Sequence, residues 1–200
     1  RPIVLADGSY LLPLYHETGG DTEVVGADTC SFFLRRDPKT KEWAPTGRIV
    51  SPGGNLQPAP AELEPGRLVA YCRRAGDYES DTIGHVVRSE STDGGLTWSE
   101  GADTTFPNPN AAVDLLKTRA GNLLLVYNDS MNRRSPLTVA LSRDLERSWP
   151  VKRDIIGGDG DYGYPMAIQA RDGRIHVVYT SEGRSVVNRA VFDEAWVEGR

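Results

Sequence analysis

Apolar positions fall in short runs that recur four times along the 200 residues. In each copy an apolar stretch (3–5, 59–63, 113–116 and 166–168) leads to a dipeptide ending in glycine. An apolar strand ending in an aromatic then follows, over 10–15, 68–71, 123–127 and 175–179. The dipeptides are Asp7-Gly8, Pro65-Gly66, Ala120-Gly121 and Asp172-Gly173, and their glycines lie 58, 55 and 52 residues apart. Glycine between two apolar runs is a hairpin signature, because it takes the positive φ that a tight turn demands. A third strand is expected at 30–34, 83–89, 137–141 and 186–192, and a tryptophan closes each unit: Trp43, Trp98, Trp149 and Trp196. No stretch of ten residues carries the 3.6-residue period of an amphipathic helix.

Four units of three or four short strands predict an all-β repeat fold. A β-propeller matches best, since its blades are four-stranded sheets of about this size. A sandwich would not bring the tryptophan back in phase. The expected blades are approximately 1–50, 51–106, 107–156 and 157–200, all within one domain. The 21 glycines and 13 prolines then read as turn punctuation rather than low complexity.

Charge and cysteine content narrow the partners. With 23 basic and 28 acidic side chains the net charge is −5, which gives no bulk attraction to nucleic acid or an anionic membrane. The run 123–126 is among the longest apolar ones, far short of the roughly 20 residues of a membrane helix. The chain opens on Arg1 rather than methionine, so the lack of a signal segment says nothing of compartment. Cys30 and Cys72 allow one disulfide or two buried thiols. His16, His85 and His176 are too dispersed for a metal site, and no cofactor is implied.

The tightest motif is Ser91-Thr92-Asp93-Gly94-Gly95-Leu96-Thr97-Trp98, with a looser copy at 142–149 that keeps Ser142, Asp144 and Trp149 at the same offsets. Serine and aspartate oxygens can accept loop N–H groups, Gly95 permits a left-handed turn, and the tryptophan ring can bury between sheets. Asp93 therefore reads as structural rather than ligand-binding. The motif resembles the Asp-box of sialidases and their relatives, which are six-bladed propellers. Segments 14–17, 56–58, 108–110, 127–128, 134–137 and 164–165 resemble the bacterial neuraminidase-like branch.

The resemblance implies an exo-acting glycosidase for terminal sialic acid or a similar acidic sugar. Such a sugar carries a carboxylate that forked arginine contacts can grip. That carboxylate would repel a carboxylate nucleophile, so the family uses a tyrosine, with a glutamate as base. Carried over by position, Tyr164 matches the nucleophile, with Tyr162 a weaker candidate. Arg134 and Arg73 match two arginines of a triad, in preference to their neighbours Arg133 and Arg74. Gln57, Asn128 and Glu17 are weaker candidates for substrate contact. Asn108 and Asn110 suit either a sugar or an Asx-turn, and 157–161 reads as a loop bringing Tyr164 to the propeller mouth.

The chain departs from the pattern at Asn55, where the family has its glutamate, and asparagine cannot act as a base. Glu17 or Glu62 could substitute. The first arginine and the acid/base aspartate belong to blades that would precede Arg1. The expectation is thus a catalytically incomplete piece whose open sheet edges are covered by further blades or another chain. A non-catalytic carbohydrate-binding propeller, or a glycosidase or lyase for another acidic sugar, are the alternatives.

Overall fold

The computed structural model describes residues 1–17, 26–76 and 84–200. Four antiparallel sheets follow one another along the chain, each with its strands in sequence order. The first holds β1 (Ile3–Val4), β2 (Tyr10–His16), β3 (Cys30–Arg36) and β4 (Trp43–Pro45). The second holds β5 (Asn55–Glu64), β6 (Arg67–Arg74), β7 (His85–Ser91) and β8 (Ala102–Pro107). The third holds β9 (Asp114–Lys117), β10 (Leu123–Asn128), β11 (Leu137–Ser142) and β12 (Val151–Ile156). The fourth has three strands, β13 (Gly163–Gln169), β14 (Ile175–Ser181) and β15 (Val186–Phe192), followed by the one-turn helix α1 (Glu194–Val197). This is an all-β, four-blade propeller arrangement. Ile83, expected at the head of a third strand, lies outside the described residues. No helix among the described residues is long and apolar enough to cross a membrane.

Each junction between neighbouring sheets has its own apolar cluster. Leu11 and Phe33 of the first blade meet Leu68, Ala70 and Cys72 of the second. Val69 and Tyr71, on the opposite face of β6, meet Leu123, Leu125 and Tyr127 of β10. Leu124 and Val126, facing the other way, meet Ile175, Val177 and Tyr179 of β14. Because side chains alternate along a strand, β6 and β10 feed two clusters each, which is why they read as unbroken apolar runs.

The two Asp-boxes are the turns between third and fourth strands. In the first, Asp93 accepts N–H bonds from Leu96 (3.0 Å) and Thr97 (2.9 Å), while Ser91 Oγ accepts from Gly95 N (2.9 Å). The second repeats this, with Ser148 N on Asp144 at 2.9 Å and Glu146 N on Ser142 Oγ at 3.0 Å. Gly94 and Gly95 hold φ values of 75° and 82°; Leu145 and Glu146 stand in their places at 57° and 68°. A non-glycine residue in that region costs about 1–2 kcal/mol. Glu146 is kept there by an interblade clasp: its carboxylate, nearly buried, accepts from the Tyr71 hydroxyl at 2.8 Å and from Arg88 Nε at 3.0 Å.

The four tryptophans do not share one role, and the two that end an Asp-box bury their rings between sheets as the motif predicts. Trp98 stacks on Phe33 at 4.8 Å, and Trp149 meets Tyr71 and Phe106 edge-on at 6.0 and 5.4 Å. Trp43 is 47% exposed on the outermost strand β4, and Trp196 sits on α1 against Phe192 at 4.9 Å. Only Trp98 and Trp149 end an Asp-box, whose turn folds the ring back into the junction. Cys30 and Cys72 are buried free thiols, and burial pushes Cys72 up to about 12, which keeps it protonated.

The hydroxyl and N–H of Ser148 hold the Asp144 carboxyl down at about 2, against an ordinary 3.8. A depressed folded-state pKa contributes stability above the unfolded value and loses it as pH falls through the folded one. Asp144→Asn should therefore lower the thermal midpoint at neutral pH, with the gap to wild type closing between about pH 4 and 2. A gap that stays constant across that window would show that Asp144 ionisation does not hold the turn.

Candidate active site

The site lies at the end of the blades where second strands finish and inner strands begin. Residues 129–136 and the tight turn 182–185 connect second to third strands there. Between them run the segments entering β5, β9 and β13. Gln57, Asn110 and Tyr164 occupy the same place in three successive blades, 53 and 54 residues apart. All three have left-handed backbones, with φ of 52°, 52° and 53°. The register slips between Leu56 and Ala59 on β5, and between Gly163 and Met166 on β13. A bulge of this kind takes a residue off the ladder and re-aims its side chain.

Two arginines converge on the middle one of these three. Arg73, 3% exposed near the end of β6, donates from Nε to Asn110 Oδ1 at 2.6 Å and from Nη1 to Gln57 Oε1 at 3.2 Å. Arg134 donates from Nη2 to the Asn110 carbonyl at 3.2 Å, and its guanidinium lies 5.6 Å from the Tyr164 ring centre. Asn110 Nδ2 in turn donates to the Gly76 carbonyl at 2.6 Å, so one residue braces both arginines. A cavity of about 200 Å³ adjoins the cluster, lined by Tyr15, Gln57, Asp114 and Pro165 among others. Asp114 is 4% exposed, and burial raises its carboxyl against the pull of Arg1. Its Oδ2 accepts from Ala167 N at 2.7 Å, tying β9 to β13 beneath the site. A second cavity, of about 490 Å³, lies between Gly54, Arg74, His85 and Asp103 and includes none of Gln57, Asn110 or Tyr164.

The remaining expected residues fall elsewhere. Asn128 is fully buried and its amide donates to the Pro136 and Tyr162 carbonyls at 3.2 and 3.1 Å, so it anchors the 129–136 connection instead of facing a ligand. Glu17 is exposed just past the end of β2, with no hydrogen bond or ion pair to the cluster among the described residues. Arg133 points outward to Asp159 at 3.0 Å. Tyr162 spends its hydroxyl on the Gly157 carbonyl (3.0 Å), and Ser135 Oγ donates to the Gly158 carbonyl (2.6 Å), so the 157–161 loop is tied down. Asn108 bonds Ala111 twice, as an Asx-turn does. Asn55 is fully buried: Nδ2 donates to the Ile49 carbonyl and Ser51 Oγ, and Oδ1 accepts from Ser31 N. Glu62 accepts from Ala6 N and Gly66 N, at the opposite end of the blades from Tyr164.

The sequence marks Asn110 for a sugar or an Asx-turn, and its bracing of two arginines shows only in the structure. Sequence reading passed over one arginine that borders the cluster. Arg184, whose guanidinium lies 5.2 Å from the Tyr164 ring centre, sits on a polar hairpin turn that carries no sequence signal. Among the described residues no group of three or more His, Cys, Asp or Glu side chains is disposed to hold a metal.

Asn110 should be sensitive to backbone as well as side chain. Asn110→Gly and Asn110→Ala both remove the amide, but only alanine is strained at a φ of 52°. Urea denaturation should find the alanine variant less stable by about 1 kcal/mol; equal stabilities would mean that the left-handed backbone is not held in place.

A model of the BNR repeat-like domain matches residues 1–177. No curated protein sequence matches the chain. Among solved structures, the Hadza microbial sialidase Hz136 superposes with a TM-score of 0.76 at 17% identity, over 98% of this chain and 37% of that one. The intramolecular trans-sialidase from Ruminococcus gnavus, in complex with oseltamivir carboxylate, gives 0.73 at 17% identity, over 98% and 43%. An α-L-arabinanase from Penicillium chrysogenum, complexed with arabinobiose, gives 0.62 at 18%, over 96% and 60%. The chain thus spans about two fifths of the length of the two sialidases. At such identities the likeness is one of fold. With sheets in blade order, two Asp-boxes at the second and third, and a family match over 177 of its 200 residues, the chain belongs to the BNR repeat-like domain family and has the architecture of a sialidase-type propeller.

Proposed function

We propose that the chain supplies the arginine and tyrosine side of a glycosidase site that acts on terminal sialic acid or a similar acidic sugar. The observation that carries this reading is the convergence of Arg73 and Arg134 on Asn110, with Tyr164 beside Arg134. Arg73 and Arg134 grip the sugar carboxylate through forked, charge-assisted bonds. Tyr164 is the nucleophile: its oxygen bonds the anomeric carbon as the bond from that carbon to the leaving oxygen breaks, and water later reverses the exchange. The tyrosine proton goes to a base, and the leaving oxygen takes a proton from an acid. Asn55 cannot be that base, and Glu62 has both oxygens on backbone N–H groups. On this reading the 200 residues bind and orient the sugar and require a further acid and base for turnover.

A second reading, a carbohydrate-binding propeller without catalysis, draws on the same Asn55. Its three hydrogen bonds knit β5 to the first blade, which is a structural use of the position.

Calorimetric titration of the chain with the α-methyl glycoside of N-acetylneuraminic acid, with its carboxylate methyl ester and with a methyl uronoside tests the clamp. The free acid should bind at least about tenfold better than the ester, since a charge-assisted bond contributes about 1.5–3 kcal/mol. Arg134→Lys should remove most of that preference, because an ammonium cannot form the fork. An ester that binds as well as the acid would sink the clamp, and a preference for the uronoside would reassign the sugar. Tyr164→Phe separates the two readings in the full-length protein. Under the first it abolishes release of a fluorogenic sialoside while binding stays within about threefold; sialoside binding with no release by wild type would favour the second.

A further inference from the structure

Tyr164 is flanked by two guanidinium groups, and the proposed clamp uses only one of them. Arg134 lies 5.6 Å from the ring centre and Arg184 lies 5.2 Å from it. Among the described residues no other aromatic ring carries two; Tyr10 has Arg36, and Trp196 has Arg153. Arg184 comes from a different part of the fold, the tight turn between β14 and β15. Its backbone is left-handed, at a φ of 72°, and Ser185 N bonds back to the Glu182 carbonyl at 3.2 Å, which closes the turn. A turn set in this way presents its arginine at the rim. Arg184 takes part in none of the ion pairs among the described residues, in contrast to Arg133, the neighbour of Arg134, which is held by Asp159.

The three arginines form a gradient of depth. Arg73 is buried, Arg134 is half-buried and Arg184 is exposed. Burial decides how much each contact is worth: a charge-assisted bond made out of water is strong and little screened, whereas one at the surface is weak and salt-sensitive. Arg134 and Arg184 both lie within 6 Å of one ring centre, so their guanidinium carbons are at most about 11 Å apart. A single carboxylate held against Arg73 and Arg134 at the Asn110 brace leaves the Arg184 guanidinium to a different group.

From this we infer that Arg184 forms a rim subsite for a second anionic group, a carboxylate or sulfate on the sugar next to the one held by Arg73 and Arg134. The site therefore selects glycans with anions on neighbouring rings over those with one. This inference rests on the proposed clamp, which binds the first carboxylate. Arg184 is here a specificity residue: it contacts the neighbouring sugar and leaves the affinity for an isolated acidic sugar unchanged.

The test is calorimetry on the chain with three probes: a monosialoside, a disialoside with two linked sialic acids, and a monosialoside sulfated on the adjacent sugar. At about 20 mM salt, wild type should bind the two dianions about fivefold better than the monoanion, the scale of an exposed ion pair. Arg184→Gln should erase that preference and leave the monoanion affinity unchanged. At about 1 M salt the preference should fade, because the Debye length falls to about 3 Å. Preference for only one dianion identifies whether carboxylate or sulfate is taken, and either result supports the subsite. Wild type that binds mono- and dianions alike overturns it, as does an Arg184→Gln variant that weakens all three probes equally. Failure of the clamp itself shows separately, as absence of monosialoside binding by wild type, and that result overturns both.

Discussion

The constraint on which the rest depends is that a middle blade must bury both faces of its sheet. β6 sends Leu68, Ala70 and Cys72 to one neighbour and Val69 and Tyr71 to the other. β10 divides Leu123, Leu125 and Tyr127 from Leu124 and Val126 in the same manner. A one-residue slip of either strand would exchange its two faces, so register is fixed from both sides at once. With register fixed, residues at equal phase in successive blades are carried to equal positions around the axis. That is how Gln57, Asn110 and Tyr164, far apart in sequence, come to lie at the same end of three neighbouring blades.

The same alternation explains where sequence reading succeeded. Hairpin glycines and apolar runs predicted the strands closely: 123–127 became Leu123–Asn128, and 186–192 became Val186–Phe192. These elements are set by local turn chemistry and by the two-residue period, both visible in one chain. The four tryptophans recur in phase yet differ in role. Trp98 and Trp149 are folded inward by an Asp-box turn; Trp43 and Trp196 have no such turn, and one lies on an outer strand while the other lies on α1. Phase alone does not say which way a side chain is turned.

The site was legible only in part from the repeat. Arg73 lies near the end of β6 but Arg134 lies in the connection between β10 and β11, so the two do not hold the same place in successive blades as the sequence suggested. Asn128 obeys the repeat, yet its amide is taken by two carbonyls, which only the packed 129–136 connection reveals. Arg184 follows no repeat, since turns between second and third strands differ in length from blade to blade. Asn110 lies between these cases: the sequence marked it for a sugar or an Asx-turn, but its bridging of two arginines arises from contacts between blades.

The two ends of the blades divide the work. At one end the Asp-box turns are bonded to their neighbours, Gly94 N to the Gly66 carbonyl at 2.9 Å and Gly47 N to the Leu96 carbonyl at 2.8 Å. Glu146 adds a carboxylate clasp between the second and third blades. At the other end Arg73 is braced by amide oxygens, from Gln57 and Asn110, which accept its N–H groups without adding negative charge of their own. A clasp of the Glu146 kind at the mouth would set a protein carboxylate where the proposed sugar carboxylate must sit. The fold keeps its glutamate clasp at the Asp-box end and braces its mouth arginine with amides, so that rigid blades and a cationic opening coexist in one sheet stack.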